Sequence, residues 1–173
     1  MINKLKMQLV HNAPPFLRSA VQFCPSSLQN RALFEALKQV FKEALEDGDF
    51  EFLEHRWLRV SVLDLNLHWY ISYDNEQLIV SDMKVIEDVS FSGNLNDLIL
   101  IAGRKEDPDS LFFKRRLKIE GDTELGLEVK NLMDSVDLDA LPVPVLKALN
   151  HLATFIQQGI QMSEEKGTQQ HAF

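Results

Sequence analysis

Residues 56–80 read RWLRVSVLDLNLHWYISYDNEQLIV, and this run constrains the fold more than any other. Leu58, Val60 and Val62 alternate with polar residues, as do Leu67, Trp69, Ile71 and Tyr73. A period of two places one set of side chains on one side of a pleated strand, and no helix sorts them that way. The pair Asn75-Glu76 then marks a tight turn before QLIVS, so three strands are expected to form a meander. DVSFS at 88–92 predicts a fourth strand and RLKIEG at 116–121 a fifth.

The remaining segments follow helical spacing. Leu33, Leu37, Val40, Phe41, Ala44 and Leu45 share a face of one helix, which SSLQ at 26–29 is expected to open as a capping box and EDGD at 46–49 to stop. NLNDLILIAGRK is helical in length and reaches Gly103 near its end. Pro108 is placed to start a short helix. After Gly121, Leu125, Val129, Leu132, Met133 and Val136 line one helical face. LPVPV reads as a stiff linker to a last helix, 145 to about 161, striped by Val145, Leu149, Leu152, Ile156 and Ile160. Strands early and helices late predict an α+β fold, a five-stranded, mostly antiparallel sheet covered on one face by helices.

The chain has 173 residues, a length suited to one domain with a sizeable core. Its formal net charge is -8, yet the first acid is Glu35. An acidic body of this kind argues against nucleic acid as a partner. Residues 1–25 instead form a basic, apolar arm, in which Ile2, Lys4, Leu5, Lys6 and Leu9 are the expected contacts with an anionic membrane surface. The main domain is expected to span 26–162, with a disordered polar tail at 163–173. With a single cysteine, Cys24, and no apolar run of 18 residues, the expectation is a cytoplasmic protein that touches membranes reversibly.

The residues make no case for an enzyme. EGD at 120–122 stands where a strand meets a helix, a place that can hold an anion. Asp122 and Glu124 would repel a phosphate there, so Gly121 reads as a tight turn and Asp122 or Thr123 as a helix cap. The five histidines (11, 55, 68, 151 and 171) lack zinc-ligand spacing, and Cys24 has no base beside it in sequence. The acids of EDGDFEFLE lack the spacing of a calcium loop.

In order, the meander from Trp57, then DVSFSGNLNDLILIAGRKEDPDSLFF, then LKIEGDTELGLEVKNL resemble the sterol carrier protein type two (SCP2-like) family of lipid-binding domains, from about Trp57 to Met133. Where that family often has a glycine before LKI, this chain has Arg115 and Arg116. With that variant, DPDSLFFKRRLKIEGDTELGLEVKNLMD resembles one bacterial branch, the accessory factors of ubiquinone biosynthesis, over nearly the whole chain. The resemblance implies an apolar tunnel for a lipid, no catalytic residue and no cofactor. The implied cargo is a prenylated quinone precursor or a phospholipid, and the implied partners are UbiU and UbiV, the hydroxylation proteins of the oxygen-independent route. On this reading the lipid contacts fall on Trp69, Leu98, Ile101, Phe112, Phe113, Leu125, Val129, Leu152 and Ile156. The alternative is a protein-interaction scaffold that kept the fold but filled its tunnel with Phe112, Phe113 and Trp69.

Overall fold

The alternating runs pair through the turns they imply. A computed structural model describes residues 23–135 and 141–170, so the arm contacts Ile2, Lys4, Leu5, Lys6 and Leu9 lie outside the described residues. The first strands are β1 (Leu58–Val62), β2 (Leu67–Asp74) and β3 (Gln77–Ser81), and both pairings are antiparallel. The β2–β3 turn holds Asn75 and Glu76 at φ 49° and 59°. Two positive φ values in a row match the right-handed twist of a two-residue hairpin. β4 (Val89–Gly93) returns to lie parallel to β1, and β5 (Leu117–Gly121) pairs antiparallel with β4. The sheet order is β3-β2-β1-β4-β5. The mostly antiparallel expectation therefore holds, with one parallel pair at the centre.

Register sorts the side chains. Val60 lies opposite Trp69 and beside Phe91, which lies opposite Ile119; these share one face with Leu58, Ile71, Tyr73, Val89 and Leu117. Arg59, His68, Tyr70, Ser72, Ser90 and Lys118 take the other. The apolar face packs with Phe50, Leu53, Leu111, Leu125, Val129 and Leu132 into one core, whose most enclosed members are 0–2 % exposed. Full burial of each such side chain stabilises by roughly 1.5–3 kcal/mol.

The helices are α1 (Ser26–Val40), α2 (Lys42–Glu46), α3 (Leu95–Ala102), α4 (Pro108–Phe113), α5 (Thr123–Asp134) and α6 (Val143–Gln170). The first expected helix is broken at Phe41, whose φ of -108° interrupts the ladder between α1 and α2. The capping box does not form. Pro25 occupies the cap of α1, and Gln29 Nε2 donates to the Cys24 carbonyl instead. Further on, capping follows the sequence. The Asp107 carboxylate accepts from the Ser110 amide at the start of α4, and that of Asp122 from the Glu124 and Leu125 amides at the start of α5. LPVPV is shorter as a linker than expected, because α6 begins at Val143 with Pro144 in its first turn, where a missing N–H costs no ladder bond. The same helix is described as far as Gln170, beyond the end expected near 161. Among the described residues, no helix is long and apolar enough to cross a membrane.

Candidate functional site: an apolar groove beneath the last helix

The apolar face of the sheet is not wholly closed. A groove of about 860 Å³ runs between α1, α3, the end of α5 and the start of α6. Val40, Phe91, Leu98, Ile101, Met133, Leu141, Val145 and Leu149 supply its apolar walls. Its rim carries Arg104, Lys105, Glu106, Asp107 and Asp134. Apolar walls with a few polar groups at the edge suit a ligand with a long hydrocarbon part, and natural small-molecule sites span roughly 300–1,000 Å³.

Local sequence explains why the groove stays open. α6 meets α3 through Leu100 and Ile156, with Ile99, Phe155 and Ile160 around them, in a cluster apart from the main core. Gly103, at the end of α3, sits so close to α6 that an added Cβ would overlap the Ala153 methyl group. Its φ of -86° is ordinary, so the residue is there for proximity rather than for a left-handed cap. α6 is thus clasped near its middle, while its first turns stand off the sheet and roof the groove.

A second cavity of about 360 Å³ lies under α4, between β5 and α5. Phe112, Phe113, Leu117, Ile119, Gly126 and Leu127 line it. A Cβ at Gly126 would come within 3.1 Å of Ile119 Cγ2, so the missing side chain lets α5 ride close to β5. Pro108 and Met133 border both cavities. The junction below is set by Gly121, whose φ of +110° and contact with the Asp88 carbonyl admit no side chain without strain. EGD is therefore a structural corner.

The nine expected lipid contacts are distributed unevenly. Leu98 and Ile101 line the large groove; Phe112 and Phe113 line the smaller cavity. Leu125 and Val129 lie buried in the main core, and Ile156 in the α3–α6 clasp. Trp69 is half-buried on the apolar face opposite Val60, and Leu152 is 46 % exposed. Val40, Phe91, Met133, Val145 and Leu149 also wall the groove, although the sequence marks them only as helix positions or, for Phe91, as part of a strand. The sequence signal for them was the apolar stripe itself, which does not separate a core wall from a cavity wall.

Charge is used sparingly here. Asp97, in the first turn of α3, is 3 % exposed and accepts a hydrogen bond from the Arg116 guanidinium. Burial raises the Asp97 carboxyl above its usual value, and the arginine pulls it back. That bond ties α3 to the approach to β5. On the opposite sheet face, Arg59 pairs with Glu87 at 2.7 Å, and His68 stands exposed, edge-on to Tyr70. Folding also gathers Glu54, His55 and Asp74, with ligand atoms within 4.8 Å of one another. Glu54 and His55 are exposed, an ordinary setting for solvated side chains.

Comparison with known proteins agrees with this architecture. The model of the SCP-2 sterol transfer family matches residues 34–134. Two curated relatives, each described as "Ubiquinone biosynthesis accessory factor UbiT", come from Escherichia coli strains K12 and CFT073. Each is 46 % identical over 165 residues, covering 95 % of this chain and 94 % of the relative. A solved structure, "UbiJ-SCP2 Ubiquinone synthesis protein", superposes with a TM-score of 0.51 at 16 % identity, covering 63 % of this chain and 96 % of its own, and so supports the fold. The Leu141–Leu149 wall of the groove comes from beyond the residues that the family model matches. On these grounds the chain belongs to the SCP-2 sterol transfer family.

Proposed function

We propose that this protein is a non-catalytic lipid carrier of ubiquinone biosynthesis, which holds a prenylated quinone precursor in the groove under α6. The observation that carries the reading is the open, largely apolar groove of about 860 Å³ in a chain 46 % identical to ubiquinone accessory factors. Each methylene of a polyprenyl tail withdrawn from water contributes about 0.8 kcal/mol. A groove walled by Val40, Phe91, Leu98, Ile101 and Leu149 supplies that shelter. The charged rim from Arg104 to Asp107 offers hydrogen-bonding groups to a polar ring or headgroup at its edge. A phospholipid meets the same requirements.

In this role the protein presents its cargo to the hydroxylation proteins UbiU and UbiV and visits an anionic membrane to load, with the arm at Ile2, Lys4, Leu5, Lys6 and Leu9 taking part. The scaffold alternative needs a filled tunnel. Phe112 and Phe113 are 45 % and 81 % exposed rather than packed inward, which favours the carrier.

Lipid extraction and mass spectrometry of the purified protein test the proposal. Co-purified prenylated quinone or phospholipid, or saturable binding of either when added, is expected. Absence of any such lipid, with no binding of either class, would overturn it.

A further inference from the structure

Phe113 is 81 % exposed, Phe112 45 % and Leu127 57 %, and all three border the mouth of the smaller cavity. Large apolar side chains in such a group normally mark a contact surface. The segment 111–119, LFFKRRLKI, carries four basic residues and no acid in a chain of net charge -8. Arg115 and Lys118 are exposed and have no ion pair among the described residues; Lys114 lies 3.6 Å from Glu106. Arg115 is held at a φ of 58°, a left-handed step at the tip of the turn. The turn is fixed from both sides: Leu111 and Leu117 are buried, and Arg116 is bound to buried Asp97. The corner therefore offers two aromatic rings and a basic collar on a rigid mount.

We propose that this α4–β5 corner is a bilayer-contact site for anionic phospholipid membranes, with the smaller cavity as the portal through which a lipid reaches the groove. The portal half rests on the carrier reading; the contact half does not. Charge complementarity chooses the occupant. Aromatic rings settle at the bilayer interface, and lysine and arginine beside them are drawn to anionic headgroups. Three acids also line the mouth: Asp109, paired with Lys130 at 2.7 Å, Glu120 beside the corner, and Asp122 at the start of α5, so contact is made through the tip of the corner rather than flat across the mouth. Among the described residues, Pro108 and Met133 border both cavities, and Met is the side chain best able to swing aside. A second exposed apolar spot, Met83 and Ile86, provides a built-in control: Ile86 is 91 % exposed, but Asp82, Glu87 and Asp88 flank it.

The test is sedimentation of the full chain with vesicles of phosphatidylcholine containing phosphatidylglycerol, and with phosphatidylcholine alone. Phe113→Ser is expected to weaken partitioning into the anionic vesicles by about tenfold, in line with exposing one large apolar side chain. The double variant Arg115→Glu with Lys118→Glu should lose at least as much on anionic vesicles and little on neutral ones. Ile86→Ser should match the parent. Circular dichroism confirms folding of each variant, and prenylquinone binding in solution is measured for the charge-reversed protein. Unchanged quinone binding with lost vesicle binding supports the proposal. Parental vesicle binding by Phe113→Ser and by the charge-reversed variant would overturn it without touching the carrier reading. So would an equal loss with Ile86→Ser, or a retained charge-reversal loss on neutral vesicles.

Discussion

Two regions of this molecule bury apolar side chains, and they do so differently. The sheet, α2, α4 and α5 enclose a continuous core in which Leu53, Val89 and Leu111 have no exposed surface. The α3–α6 contact is a narrow clasp around Leu100 and Ile156, with a close approach of Gly103 to Ala153. The groove lies between the two. A body that owes its stability to the first region can let the second move, and a carrier must open to load and unload. The clasp then positions a roof, while the core keeps the floor in place.

The difference can be attacked from the core side first. Phe50 is 2 % exposed and packs edge-on against Phe41 at 5.5 Å. Phe50→Ala should cost about 3–5 kcal/mol in equilibrium denaturation, the largest effect expected here. Gly103→Val strikes the clasp instead. Overpacking against Ala153 is expected to cost about 1–3 kcal/mol, with prenylquinone affinity falling while the far-ultraviolet spectrum of the sheet is retained. If Gly103→Val destabilised the whole protein as much as Phe50→Ala, the separation of floor and roof would be wrong.

A third change addresses the joint between the regions. Arg116→Ala leaves the buried Asp97 carboxylate without its partner and should cost about 1–2 kcal/mol at neutral pH, less than for a fully enclosed pair because the arginine is partly exposed. The sign of its pH dependence follows from the raised Asp97 carboxyl. An acid that binds its proton more tightly when folded contributes stability fully below its ordinary range and loses it as pH rises through the folded value. Without Arg116 that value rises further. Denaturation midpoints should therefore show the variant recovering toward the parent as the solution is acidified, before general acid unfolding; a constant deficit would contradict this.

Much of the body was legible in the sequence because its signals are local. Alternation gave the strands, Asn75-Glu76 the hairpin, and Asp107 and Asp122 the helix starts. Gly121 was recognised as a turn because two acids follow it. What was not legible depends on distant partners. The parallel pairing of β1 with β4 is decided by how the chain crosses from β3, and nothing within DVSFS announces it. The expected capping box lost to Pro25, which sits in the cap with no side-chain bond to offer. The groove draws one to three residues from each of α1, β4, α3, α5 and α6. Leu125 and Leu98 look alike in a helical stripe, yet one is core and the other a cavity wall.

The central claim is that lipid occupies the groove under α6. Photo-crosslinking with a diazirine-bearing prenylquinone, followed by peptide mass spectrometry, addresses it most directly. Labels are expected on residues 36–40, 98–102, 133 and 141–149, and competition by unlabelled quinone should remove them. Competed labels confined to the opposite sheet face, around His68 and Tyr70, or scattered without preference, would contradict the account.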